Sequence, residues 1–164
     1  MGTMLELAKA HGLAEDRRDV EATVATFTPD CVYTIEAFAI ELHGREQAAQ
    51  HYQGAFSAWP DFYNQEVIWF DAGNDIWAKA FFTFTHDHEW NGIPPNGKKV
   101  GVWSVAHFPR AADGLLQGEH VYLNGNALLH QMGALPSSNA FELAAHIKKL
   151  EERIRTLEQA LARK

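Results

Sequence analysis

Apolar residues recur along this chain with two periods, and the change from one to the other organises it. Over MLELAKAHGLA they keep helical spacing and stop near Gly12. Asp19 is placed to cap a second short helix through Val20, Val24 and Phe27, which Thr28-Pro29-Asp30 ends. Residues 31–42, CVYTIEAFAIEL, are β-branched and aromatic and predict a strand. Residues 44–59 return to the helical period, with Ala48, Tyr52, Ala55 and Phe56 facing inward and Pro60 closing the segment. Beyond it the pattern is β. QEVIWFDA and DIWAKAFFTFTHDHEW flank Gly73-Asn74, a strong hairpin signal. GIPPNGK makes a turn, KVGVWSVAHF and LLQGEHVYL pair across Ala111–Gly114, and a short helix ALLHQMG ends at Gly133. Helices, a strand, a helix and then a long meander predict an α+β domain over 1–135, a curved antiparallel sheet folded over N-terminal helices.

The tail, residues 139–164, follows different rules. Asn139 and Glu142 fit a capping box. Leu143, Ile147, Leu150, Ile154, Leu157 and Leu161 then alternate four and three apart. That is an a/d seam with Leu at each d and Ile at a, except for Leu161 at the last a, a pattern that favours two parallel strands. The segment reads as an amphipathic helix that either lies on its own domain or forms a dimerising coiled coil.

Composition narrows the class of function. The formal charge is -7, and six of the fourteen basic residues fall in the last seventeen positions, so the body lacks the basic face that nucleic acid requires. One cysteine, Cys31, excludes an internal disulfide and a multi-cysteine zinc site. No leader-like segment or bilayer-length apolar run is present, which leads to the expectation of a cytoplasmic protein without membrane contact. Ten Phe and five Trp are rich for this size and point to a ring-lined cavity.

Several segments together resemble the SnoaL-like polyketide (ester) cyclases, within the nuclear-transport-factor-2-like cone folds. Phe27 to Tyr33 resembles the family's passage from second helix to first strand. Gly44-Arg45-Glu46 is similar to its Gly-x-Glu helix start, and Trp59-Pro60-Asp61-Phe62 to its aromatic-Pro-Asp turn. Thr85-His86 with Gly92 through Lys98 and Val100 resembles its Thr-His and Gly-x-Pro-x-x-Gly hairpin. Asp113-Gly114 through Leu128 to Gly133 is similar to its last strand and closing Gln-Leu-Gly helix. The resemblance implies a cone whose mouth binds apolar small molecules, and ring closure by intramolecular aldol addition without metal or cofactor. It places His86 in the pocket and the general acid/base at position 124, where this chain carries Asn.

An amide exchanges no proton near neutral pH, so Asn124 can only donate or accept hydrogen bonds. Strand alternation puts His120, Tyr122 and Asn124 on one face of the last strand, and the resemblance implies that this face looks into the cavity. On the long strand Ile76, Ala78, Ala80, Phe82, Phe84, His86 and His88 share a face. His86 or His120 is then the candidate base, with Asn124 completing the catalytic set. Tyr122, Phe82, Phe84, His88, Trp103, Glu36 and Tyr33 are the candidate substrate contacts. His88 also reads as a solvated strand end, and Asp61 as a structural turn residue. His86, His88 and His120 are enough in kind for a zinc or iron, but His-x-His is a weak motif with no carboxylate partner in view, and no metal is expected.

Two functions compete. One is an enzyme doing cofactor-independent acid/base chemistry (cyclisation, isomerisation, dehydration or an aldol-type step) on an apolar oxygenated metabolite. The other is a non-catalytic binder or scaffold, favoured by Asn124. Either is expected to form a homodimer or higher homo-oligomer through the sheet face, the C-terminal helix or both.

Overall fold

The computed structural model of the chain describes residues 3–161. Helix α1 (Met4–Asp16) starts at a complete capping box between Thr3 and Glu6. It runs one turn past Gly12, which faces the Trp69 ring at a distance where a Cβ would make an ordinary contact, 3.6 Å. Its buried positions Met4, Ala8, His11 and Ala14 form one stripe, and a histidine sits inside it. Asp19 caps α2 (Val20–Ala25) as expected, its carboxylate accepting from the Ala22 amide.

Strand β1 (Phe27–Ile35) starts earlier than the local pattern predicts. Phe27 is fully buried at its start rather than in the helix, and Thr28-Pro29-Asp30 lies within the strand. Pro29 is tolerated there because its position is exposed and the pairing register shifts between Phe27 and Val32. The continuous strand expected over 31–42 is broken. Glu36–Phe38 form a single 3₁₀ turn and Ala39 takes a left-handed conformation before β2 (Ile40–His43) folds back on β1. Helix α3 (Gly44–Ala58) follows, tied to β1 by the Arg45 guanidinium on the Phe27 carbonyl, and buries Ala48, Tyr52, Ala55 and Phe56 as its period predicts.

The meander comprises β3 (Tyr63–Asp71), β4 (Asp75–Thr85), β5 (Lys99–Pro109) and β6 (Leu116–Leu123). Short helix α4 (Gly125–Gln131) closes it, and α5 (Ala140–Leu161) forms the tail. The strand order is β2-β1-β6-β5-β4-β3, antiparallel throughout except for β1 with β6. Both predicted hairpins have the expected partners, β3 with β4 and β5 with β6. One curved sheet therefore carries α1 and α3 on one face, an α+β cone. The other face exposes Ile68, Phe70, Trp103 and Tyr122, with the Lys79 ammonium 4.4 Å above the Trp103 ring.

Among the described residues no helix is long and apolar enough to cross a membrane. Helix α5 is preceded by Asn139, whose side chain accepts from the amides of Phe141 and Glu142. The Glu142 carboxylate turns to the Ser137 hydroxyl instead of closing the predicted box. Residues 162–164 of the expected tail helix lie outside the described residues.

Candidate functional site

A cavity of about 350 Å³ opens between the sheet and helices α1 and α3. Its floor exists because small residues face one another across two paired strands: Ala78 opposite Ala106, and Ala80 opposite Ser104. Aromatic side chains form the walls, with Phe56 and Trp59 from α3 and its cap, Phe62 beyond them, and Trp69, Phe82 and Phe108 from the sheet. This is the concave, mainly apolar form that small-molecule sites take.

Polar groups gather at one side. Glu119, on β6, is 5% exposed and lines the cavity with Glu15 of α1 and Tyr52 and His51 of α3. The Tyr52 hydroxyl donates to Glu119 Oε2 at 2.7 Å. His11, fully buried behind them, places Nε2 3.3 Å from that same oxygen and 3.4 Å from Glu15 Oε1. Its other nitrogen is fixed by the threonines. Thr26 gives its hydroxyl proton to the Thr23 carbonyl at 2.6 Å, so Thr26 Oγ1 accepts from His11 Nδ1–H at 2.8 Å. With Nδ1–H committed, Nε2 meets Glu15 and Glu119 either as imidazolium or by accepting a proton from one of them. Burial opposes a charge on His11, but hydrogen bonds to Glu119 and Glu15 and the two carboxylate charges outweigh it, raising its pKa to about 10. Glu15 also holds its proton more tightly than an ordinary glutamate, through burial first and the neighbouring Glu119 second. Burial pushes the phenols of Tyr33 and Tyr52 up, so both remain donors, and pushes His51 down, towards neutral imidazole.

The chain thus assembles an apolar chamber with two carboxylates and an imidazole within hydrogen-bonding reach of one another at one side. Among the described residues His11, Glu15 and Glu119 are also the group that could offer three ligand atoms to a metal ion, all within 4.8 Å of one another. His86, His88 and His120 form no such group.

The residues expected from sequence are placed unevenly. Tyr33 and Phe82 line the cavity. Phe84 shares their side of the sheet but is sealed under Trp59, ring on ring at 4.1 Å. His86 is fully buried one residue past the end of β4, and neither ring nitrogen has a partner among the described residues. Its backbone closes the Thr-His hairpin instead, its carbonyl accepting from the Asn96 and Gly97 amides and its amide donating to the Lys98 carbonyl. His88 is exposed in that turn. The Asp61 carboxylate binds the Thr85 amide and hydroxyl at 2.7 and 2.6 Å, the structural part expected of it.

The face assignment on β6 is reversed. Glu119, Val121 and Leu123 look into the cavity, so His120 and Tyr122 lie on the other side of the sheet. There the His120 ring donates to Thr34 Oγ1, and burial with His107 beside it lowers its pKa. Trp103 stands on that outer face as well. Glu36 is exposed and accepts from the Thr34 hydroxyl. Asn124 is exposed at the cap of α4, its side chain accepting from the Ala127 amide. The residues that sequence reasoning missed are His11, Glu15, His51 and Glu119. A signal existed for the first two, since they are four apart on the inward side of α1.

Comparison with known proteins agrees with this architecture. The profile of the family described as SnoaL-like polyketide cyclase matches residues 6–132. Among solved structures, a candidate polyketide cyclase from Pseudomonas putida KT2440 is 19% identical, with a TM-score of 0.73 over 80% of this chain and 98% of that one. IdmH, a candidate polyketide cyclase from Streptomyces antibioticus, is 18% identical, with a TM-score of 0.66 over 80% and 99%. A protein of ketosteroid isomerase-like fold from Catenulispora acidiphila, solved with trimethylamine, is 17% identical, with a TM-score of 0.64 over 79% and 94%. At these identities the likeness is one of fold. No match was found among curated proteins.

Proposed function

Because the chain belongs to the SnoaL-like polyketide cyclase family, we propose that it is a small-molecule enzyme that moves a proton on an apolar, oxygenated metabolite held in this cavity. The observation that carries the reading is the pairing of an apolar chamber with Glu15, a cavity-lining carboxyl whose pKa is raised by burial and by Glu119. A base that works near neutrality on a carbon acid needs such a shift.

In this reading Glu15 takes a proton from the carbon next to a substrate carbonyl, and the electron pair moves onto the carbonyl oxygen. The Tyr33 hydroxyl, kept protonated by burial, donates a hydrogen bond to the developing enolate. The enolate carbon then attacks a second carbonyl, whose oxygen receives the proton Glu15 has taken, or is itself reprotonated by Glu15 at a new position. Cyclisation, isomerisation and aldol-type steps all begin this way. His11 touches no substrate. It is a positioning residue that balances the paired carboxylates, while Tyr52 fixes Glu119.

The test is exchange of α-hydrogens for deuterium in D₂O, followed by NMR on a panel of bicyclic aromatic ketones such as 2-tetralone. The wild type should accelerate exchange over buffer, and Glu15→Gln should lose about 100-fold or more of that acceleration. Ala80→Phe, which fills the floor, should abolish exchange and binding together. Full exchange in Glu15→Gln would overturn the assignment. A second reading, a binder without turnover, is favoured by Asn124 in place of the family's acid; it predicts tight ketone binding with no exchange at any pH.

A further inference from the structure

Helix α5 is an interaction surface that the described residues of its own chain leave uncovered. Every residue from Ala140 to Leu161 is exposed except Leu143, which is partly covered. Ile147, Leu150, Ile154, Leu157 and Leu161 are 47–71% exposed, on the same stripe as Leu143. A lone helix of this length is marginal in water, and its stability must come from what its apolar side meets.

The stripe has features that select the occupant. It is confined to alternate steps of four and three, a seam about two residues wide per heptad, narrower than the face a helix presents to a globular core or a bilayer surface. Ile147 and Ile154 stand at a, with Leu143, Leu150 and Leu157 at d, the distribution that two parallel strands pack best.

The flanks then fix direction. Glu151 and Glu158 lie along the e edge, and His146 and Arg153 along the g edge. Two copies side by side in the same direction bring Arg153 to Glu158 of the other chain, and His146 to Glu151. In opposite directions the acidic edges would face each other, and so would the basic ones. We infer that residues 143–161 form a parallel two-stranded coiled coil with a second copy of this chain.

The inference stands apart from the proposed chemistry, since α5 contributes nothing to the cavity lining. It is tested on the full chain by oxidative cross-linking of single introduced cysteines. Cys31 is buried and serves as the silent background. Leu157→Cys, on the seam, should form an interchain disulfide at micromolar protein, while Phe141→Cys, on the outer side, should not. Adding Ile154→Asp to Leu157→Cys should abolish the link. Adding Arg153→Glu should weaken association about tenfold at low salt, and adding Glu158→Arg to that variant should restore it. Equal linking at both cysteines, or none at Leu157→Cys, overturns the inference. Stronger association with Arg153→Glu alone would overturn the parallel direction.

Discussion

His11 is a buried group whose charge depends on its neighbours, and the sign of that dependence can be worked out. Its folded pKa, about 10, lies above the ordinary 6.5. The stabilising contribution is therefore complete below about pH 6.5 and disappears as pH rises through 10. Glu15, also raised, changes stability in the same sense, and Tyr33 and Tyr52 add to it above about pH 10. His11→Gln leaves two carboxylates together without their counter-charge. It should cost about 3 kcal/mol at pH 6 and much less at pH 10, read from urea midpoints at both. Parallel pH curves for variant and wild type would refute a charged His11. Asn124 invites a smaller experiment. As the cap of α4, it should lose about 1 kcal/mol as Asn124→Ala and almost nothing as Asn124→Asp, measured by thermal melting. Its amide was legible as a departure from the family's acid; its place at a helix start was not, because that depends on where β6 ends.

At the scale of the element, the main error of the sequence reading is the face of β6. Alternation keeps His120 and Tyr122 on one side as expected, but the side that the resemblance turned to the cavity is the outer one. Period-2 alternation holds only while the register does, and here it slips between Phe27/Leu116 and Val32/Gly118. Leu116 faces the core before the slip; after it, the cavity receives Glu119, Val121 and Leu123. Gly118 permits this, with φ at +146° and no room for a side chain: a Cβ there would lie 1.9 Å from the Val32 carbonyl oxygen. Gly118→Ala should thus cost at least about 3 kcal/mol or prevent folding. Gly54, inside α3, provides the contrast. A Cβ there would meet nothing within 4 Å, and Gly54→Ala should stabilise by about 0.5–1 kcal/mol. Denaturant midpoints of the two variants, moving in opposite directions, check both. A single glycine in a strand does announce a bulge, but not which side chains turn with it.

For the molecule as a whole, the long meander and the helices before it were readable because each rests on local signals: helical spacing over residues 4–14, a cap at Asp19, a Gly-Asn turn, a proline after α3. The cavity was not. It arises from four small side chains brought opposite one another by strand register, and from a histidine on α1 meeting a glutamate more than a hundred residues away. Such coincidences are set by tertiary packing, which no window of sequence contains. The bulge has a consequence for how such a fold diversifies. Removing one residue beside Gly118 and straightening β6 would exchange its inner and outer sides beyond that point. An imidazole and a phenol would then enter the chamber in place of a carboxylate and two aliphatic groups. A change in chain length by one residue, inside a strand, is thus a route from one cavity chemistry to another on an unchanged scaffold.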